Sequence, residues 1–134
     1  YINYIAHDEI VADNKFMFKS LNEINAGSDF LNNWVYERTK ELLDAGKLVC
    51  LLGGDHSTPL GFMKAIAEKH GDYGILQIDA HCDLRKAYEG FTYSHASIMY
   101  NALEERLVSV TIVKKKWIIS APIKNVWLLI LIKI

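Results

Sequence analysis

The sequence predicts an α/β fold built on a parallel sheet. Two short apolar segments, Lys47–Leu52 and Tyr73–Ile78, each run into polar residues, and a stretch of helical periodicity lies between them. Strand, helix and strand within about thirty residues form a βαβ unit, whose strands are parallel and whose crossover is right-handed. At 134 residues the chain holds one domain with a real core rather than two.

The elements follow in order. Residues 1–27 are mixed and polar, with Phe16, Phe18, Leu21 and Ile24 as apolar positions, and predict a short helix ending near Gly27. Ser28-Asp29 then offers an N-cap, and Leu31, Trp34, Val35, Arg38, Leu42 and Leu43 continue at helical spacing to a C′ stop at Gly46. Lys47-Leu48-Val49-Cys50-Leu51-Leu52 is a continuous apolar run, which suits a strand buried on both faces of a sheet. Gly53-Gly54 ends it, Asp55-His56-Ser57-Thr58 forms a loop, and Pro59 opens the next helix. Leu60, Met63, Ile66 and Ala67 give that helix its stripe, down to His70-Gly71. Tyr73–Ile78 is the second strand, and Ile98, Met99, Ala102 and Leu103 mark a further helix.

After Glu105 the composition changes. No Asp or Glu follows, and Arg106, Lys114, Lys115, Lys116, Lys124 and Lys133 are the only charged residues left. Residues 106–134 are expected to be an atypical apolar and basic tail on a domain formed by residues 1–105. Pro122, Lys124 and Asn125 interrupt Trp117–Ile134 well short of the ~20 apolar residues a membrane span needs. Val126–Ile132 reads as a buried strand, and as an aggregation-prone segment if left exposed.

A net charge of −1 gives no reason to expect nucleic acid as a partner. Cys50 and Cys82 lack paired-Cys spacing and no secretory leader precedes them, so a reduced, cytoplasmic protein is expected. The chain opens at Tyr1 without an initiator Met, as a fragment would.

Chemistry concentrates in Asp79-Ala80-His81-Cys82-Asp83. In an extended segment alternate residues share a face, so Asp79, His81 and Asp83 can converge while Cys82 points elsewhere. Mixed carboxylate and imidazole donors suit Mn, Zn or Fe, and a bridging carboxylate permits two cations that share and acidify a water. The bland alternative is a polar turn after a strand. His56 leaves its strand at the same sheet edge, where ligands of open parallel sheets bind, and is either a further ligand or a structural histidine. Asp55 caps or orients the loop that carries His56. His95 is either an isolated loop histidine or a proton shuttle to a leaving amine, and His70 complements a helix dipole. His7 has no comparable setting. Arg85 either pairs with a structural carboxylate or receives an acidic substrate group.

Gly53-Gly54-Asp55-His56-Ser57, followed one βαβ step later by Asp79-Ala80-His81-Cys82-Asp83, resembles the ureohydrolase family of arginase, agmatinase and formimidoylglutamase. The resemblance is clear from Phe30 to Glu105 and covers two motifs that are specific in this order and spacing. It implies a three-layer α/β/α fold with a parallel sheet, arginase-like and here incomplete. It also implies a binuclear Mn2+ centre and C–N hydrolysis of a linear guanidine or amidine. By the motifs, His56, Asp79, His81 and Asp83 are the implied metal ligands, with Asp79 bridging. His95, in Tyr93-Ser94-His95-Ala96-Ser97, falls where agmatinase-like members carry the shuttle histidine. The implied reaction is agmatine to putrescine and urea, within polyamine metabolism, and family members tend to be homo-oligomers.

Two departures qualify that. Arg85 resembles the Asp-Leu-Arg of formimidoylglutamases, so formimidoylglutamase or arginase activity stays an alternative within the family. The family's later Asp-x-Asp pair and downstream glutamate have no counterpart after Glu105, as if the reading frame were lost there. With four of six expected protein ligands, weak binding of at most one metal and little turnover are expected. A non-catalytic metal-binding remnant is the alternative of a different class, and a metallophosphoesterase ranks last because its further Asn and His motifs are missing.

Overall fold

The computed structural model describes residues 15–71, 73–105, 108–113 and 129–132. They form helix α1 (Lys15–Asp44), helix α2 (Pro59–His70), strand β1 (Tyr73–Ile78), a 3-10 turn (His95–Ser97) leading into helix α3 (Ile98–Glu104), strand β2 (Val108–Val113) and strand β3 (Leu129–Ile132). The expectations on His7, Trp117, Pro122, Lys124 and Asn125 lie outside the described residues.

The two helices expected on either side of Gly27 are one helix of 30 residues. Gly27 is exposed with open space around its Cα, and a solvated glycine costs only ~1 kcal/mol against alanine, too little to break a long helix that is packed elsewhere. Ser28 and Asp29 are therefore interior residues rather than a cap. Asp29 Oδ2 accepts from Asn33 Nδ2 one turn on at 3.4 Å, and its Oδ1 accepts from the Tyr93 hydroxyl at 3.2 Å. The expected stop at Gly46 is present. Its φ is +70°, Lys47 N donates to Leu42 O and Gly46 N to Leu43 O, both at 3.0 Å, which is the Schellman arrangement that satisfies the last carbonyls of a helix.

Leu21, Asn32, Val35 and Thr39 form the buried stripe of α1, and α1 lies against α2. The approach is close enough that a Cβ on Gly61 would sit 2.1 Å from Asn32 O and 2.8 Å from Tyr36 N. Charged pairs rim this contact: Glu68 accepts from the Tyr36 hydroxyl and the Lys40 ammonium, and Lys69 Nζ meets Asp44 Oδ1 at 2.8 Å. The hydrogen bonds from Lys40 and then Tyr36 hold the Glu68 carboxyl below its usual range, and Lys69 does the same for Asp44.

The core joins α2, β1 and α3 through Leu60, Met63, Tyr73, Ile75, Ile98, Met99 and Ala102. Tyr73 donates its hydroxyl to Met63 O at 2.8 Å, and burial pushes its phenol well upward. Helix α2 ends as expected at Gly71, with φ +74° and its N–H on Ala67 O at 2.8 Å.

The sheet is parallel, in the order β2-β1-β3. Tyr73–Ile78 pairs with Val108–Val113 in step, and Ile75–Ile78 pairs with Leu129–Ile132. The apolar run at the chain's end thus supplies a strand over Leu129–Ile132, while Val126–Leu128 lies outside the described residues.

Lys47–Leu52 does not form the expected buried strand. It is neither strand nor buried, with Leu48 93% and Leu52 99% exposed. A strand has two edges, and both edges of β1 are taken, by β2 and by β3. The βαβ unit that forms is β1–α3–β2, not 47–52 with α2 and β1. Among the described residues no helix is long and apolar enough to cross a membrane.

Candidate metal centre

Asp79 is the first residue after β1. The chain does not stay extended there, so alternation is not what gathers the ligands. His81 N folds back onto Asp79 Oδ1 at 2.9 Å, the turn an aspartate side chain makes with the residue two ahead. Asp83 then adopts φ +51°, a left-handed conformation that Asp tolerates better than most residues. Its carbonyl accepts from Met99 N at 3.1 Å and Tyr100 N at 3.2 Å. These are first-turn N–H groups of α3, which have no partner inside the helix, and Ser97 provides no side-chain cap. The start of α3 therefore holds Asp83 in place.

His56 arrives from the other side, in the loop before α2. Asp55 Oδ1 accepts from Ser57 N at 2.9 Å and from Ser57 Oγ at 2.5 Å, and Thr58 Oγ1 donates to Asp55 O at 2.8 Å. Asp55 thus orients this loop, as expected, although residues 47–52 before it form no strand. The docking of α2 on α1 and the core sets where the loop lies.

The result is a tight group. His56 Nδ1 lies 2.6 Å from Asp83 Oδ2 and 3.4 Å from Asp79 Oδ2, and the three side chains are 9%, 3% and 2% exposed. One donor atom from each lies within 4.8 Å of the others. His81 stands apart, 72% exposed, with Nδ1 3.6 Å from Asp79 Oδ1. Asp79 therefore turns one oxygen to His56 and Asp83 and the other to His81.

The donor set fits a cation. Two buried carboxylates need opposite charge, because burying unpaired anions is costly. A borderline divalent metal, with its preference for mixed imidazole and carboxylate donors, meets that need. Among the described residues His56 Nε2 is buried without a partner, and the ring's polar contacts run through Nδ1, the nitrogen facing the carboxylates.

Beside the group lies a cavity of about 540 Å³ lined by His81, Cys82, Asp83, Arg85, Tyr88 and His95 among others. Cys82 borders it, contrary to the alternation argument, because the turn at His81 breaks the two-residue period. His95 meets the Tyr88 ring edge-on, centroids 6.2 Å apart. Arg85 lays its guanidinium over the same ring at 4.6 Å, and its backbone N–H donates to Ala96 O at 3.0 Å. Ala87 and Glu89, the chain neighbours of Tyr88, are strained: they have φ +43° and +53°, conformations that cost a non-glycine residue roughly 1–3 kcal/mol.

Gln77 escaped the sequence reading. It is fully buried on β1, and its Nε2 lies 3.4 Å from Asp79 Oδ2 and 3.5 Å from Asp83 Oδ2. An amide inside an otherwise apolar central strand, two residues before Asp79 and so on its face, was the available signal.

Among known proteins, the model of the Arginase family matches residues 8–118. The chain is similar to an N(1)-aminopropylagmatine ureohydrolase of Thermus thermophilus, 44% identical over 71 residues, covering 53% of this chain and 24% of that protein. It is similar to an agmatinase of Bacillus anthracis, 44% identical over 63 residues, covering 47% and 22%. A guanidinobutyrase of Pseudomonas aeruginosa is 31% identical over 99 residues, covering 68% and 31%. The matches to these curated relatives span between a fifth and a third of their length.

Proposed function

The chain belongs to the arginase family, and we propose that it is a manganese-dependent hydrolase of linear guanidines, agmatine foremost. The observation that carries this is the convergence of His56, Asp79 and Asp83 at the end of β1, on a chain similar to agmatinases. In this proposal the three-stranded parallel sheet is part of the three-layer α/β/α arrangement of the family.

His56, Asp79 and Asp83 would hold the metal, with His81 beside the second oxygen of Asp79. A manganese centre supplies a water made acidic enough to add to a guanidinium carbon at neutral pH. The protein's own groups do the rest. The buried carboxylates balance the charge of the cation and of the guanidinium, and the cavity beside them receives the substrate chain. His95 gives a proton to the departing amine as the C–N bond breaks, so that water plus guanidine ends as urea plus amine.

Residues 106–134 contain no Asp or Glu, so that segment offers no further carboxylate for a second ion. We therefore propose one manganese per chain, weakly held, and slow turnover. Titration of the chain with Mn2+, together with urea release from agmatine, arginine and formimidoylglutamate, tests this. One weak site and slow, Mn-dependent urea release favouring agmatine are expected. Two tight sites would overturn the single-ion proposal, and no manganese binding would overturn the hydrolase itself.

Arg85 favours a second reading, an amidine that carries a carboxylate. Its guanidinium is presented at the cavity wall over Tyr88, where it can receive an anion. Arg85→Gln that alters turnover of formimidoylglutamate but not of agmatine supports this reading, and equal effects on both dismiss it.

A further inference from the structure

Gln77 lies beneath the group of donors rather than within it. Leaving a buried polar group unpaired costs about 1–3 kcal/mol, so a fully buried glutamine in β1 calls for a reason. Its Nε2 has three acceptors in reach: Asp79 Oδ2 at 3.4 Å, Asp83 Oδ2 at 3.5 Å and the His81 carbonyl at 3.2 Å. The two carboxylate oxygens are the same atoms that face His56 Nδ1. The orientation of the amide follows from its chemistry, since turning it over would set its oxygen against three others. Among the described residues the other end makes no hydrogen bond: Oε1 is buried without a partner. A side chain chosen only for packing would be leucine or methionine, with nothing left unsatisfied.

We infer that Gln77 is a positioning residue of the metal centre, a neutral donor that keeps Asp79 Oδ2 and Asp83 Oδ2 together and turned to His56. The inference rests on the metal-centre reading above. Two carboxylates side by side repel, and an amide N–H pair offsets that repulsion without a full positive charge. A lysine or arginine there would compete with the cation, and a glutamate would add a third anion. The bond to the His81 carbonyl fixes the turn that separates the two aspartates.

The test replaces Gln77 with methionine, of similar length and without a donor. Q77M is expected to weaken Mn2+ binding by about 10–100-fold, the range for groups that orient metal ligands. Its melting temperature without metal should stay level or rise, because the orphan Oε1 disappears as well. Wild type and Q77M binding Mn2+ equally would overturn the inference alone, while a wild type that binds none overturns the metal reading and the inference with it. If Q77M does not fold, wild type decides by NMR with diamagnetic Cd2+. The Gln77 side-chain amide protons should exchange slowly with water and shift during the titration. Exchange at the rate of a free amide, without a shift, overturns the inference.

Discussion

Gly61→Ala should destabilise this protein, against the usual effect of replacing a helical glycine. A solvated Gly→Ala change within a helix gains ~1 kcal/mol from propensity. At Gly61 the new Cβ would lie 2.1 Å from Asn32 O and 2.8 Å from Tyr36 N. Both neighbours are backbone of α1 and cannot swing aside. A carbon and an oxygen rest at about 3.3 Å, so the helices must part by roughly 1 Å, and a gap of that size forfeits up to half of each contact's attraction. Overpacking costs about 1–3 kcal/mol, and a clash between two backbones belongs at the upper end. Offsetting ~3 kcal/mol by the propensity gain leaves a net loss of ~2 kcal/mol, a fall of about 8 °C in melting temperature for a domain of this size. The assay is thermal unfolding by circular dichroism, with Gly27→Ala as control. Gly27 is exposed with nothing within 4 Å, so that change should stabilise by about 0.5–1 kcal/mol. A stabilised G61A would refute the close α1–α2 contact, and a destabilised G27A would refute the continuous helix.

Leu52→Ser should change stability by less than ~0.5 kcal/mol, as at any solvated site, and should reduce aggregation measured by light scattering; a loss of 2 kcal/mol or more would restore the buried strand. Glu68 and Asp44 have folded pKa values below their ordinary ones, so their stabilisation is full above about pH 4 and is lost as pH falls through the folded values. K40M and K69M should therefore show a shallower acid-induced fall in melting temperature than wild type, and parallel profiles would contradict the assignment. Ala87→Gly should stabilise, since alanine at φ +43° bears a left-handed conformation that glycine adopts freely; a lower melting temperature in A87G would count against that strain.

Much of this architecture was legible because it is local. The stripe Leu60–Met63–Ala67, the stops at Gly46 and Gly71 and the run Tyr73–Ile78 each form as their own residues predict. Gly27 was misread because a glycine ends a helix only where the chain must turn to a positive φ, and Gly46 has that requirement while Gly27 lies within the helix. Lys47–Leu52 was misread for a different reason. An apolar run becomes a strand only if a partner edge is free, and the edges of β1 are filled by residues far along the chain. At the candidate site the donor types were legible, and so was the meeting of His56 with Asp79 and Asp83. Their geometry was not, because it depends on a side-chain turn at Asp79 and a left-handed Asp83 held by α3. That turn swings His81 outward and brings Cys82 to the cavity, reversing what alternation implies.

The central claim is that His56, Asp79 and Asp83 together hold one divalent cation. Anomalous diffraction at the manganese edge, on crystals grown with Mn2+, tests it most directly. A single strong peak bounded by His56 Nδ1, Asp79 Oδ2 and Asp83 Oδ2 is expected, absent from crystals of Asp79→Asn. A peak elsewhere on the molecule, or none in a chain saturated with manganese, would contradict it.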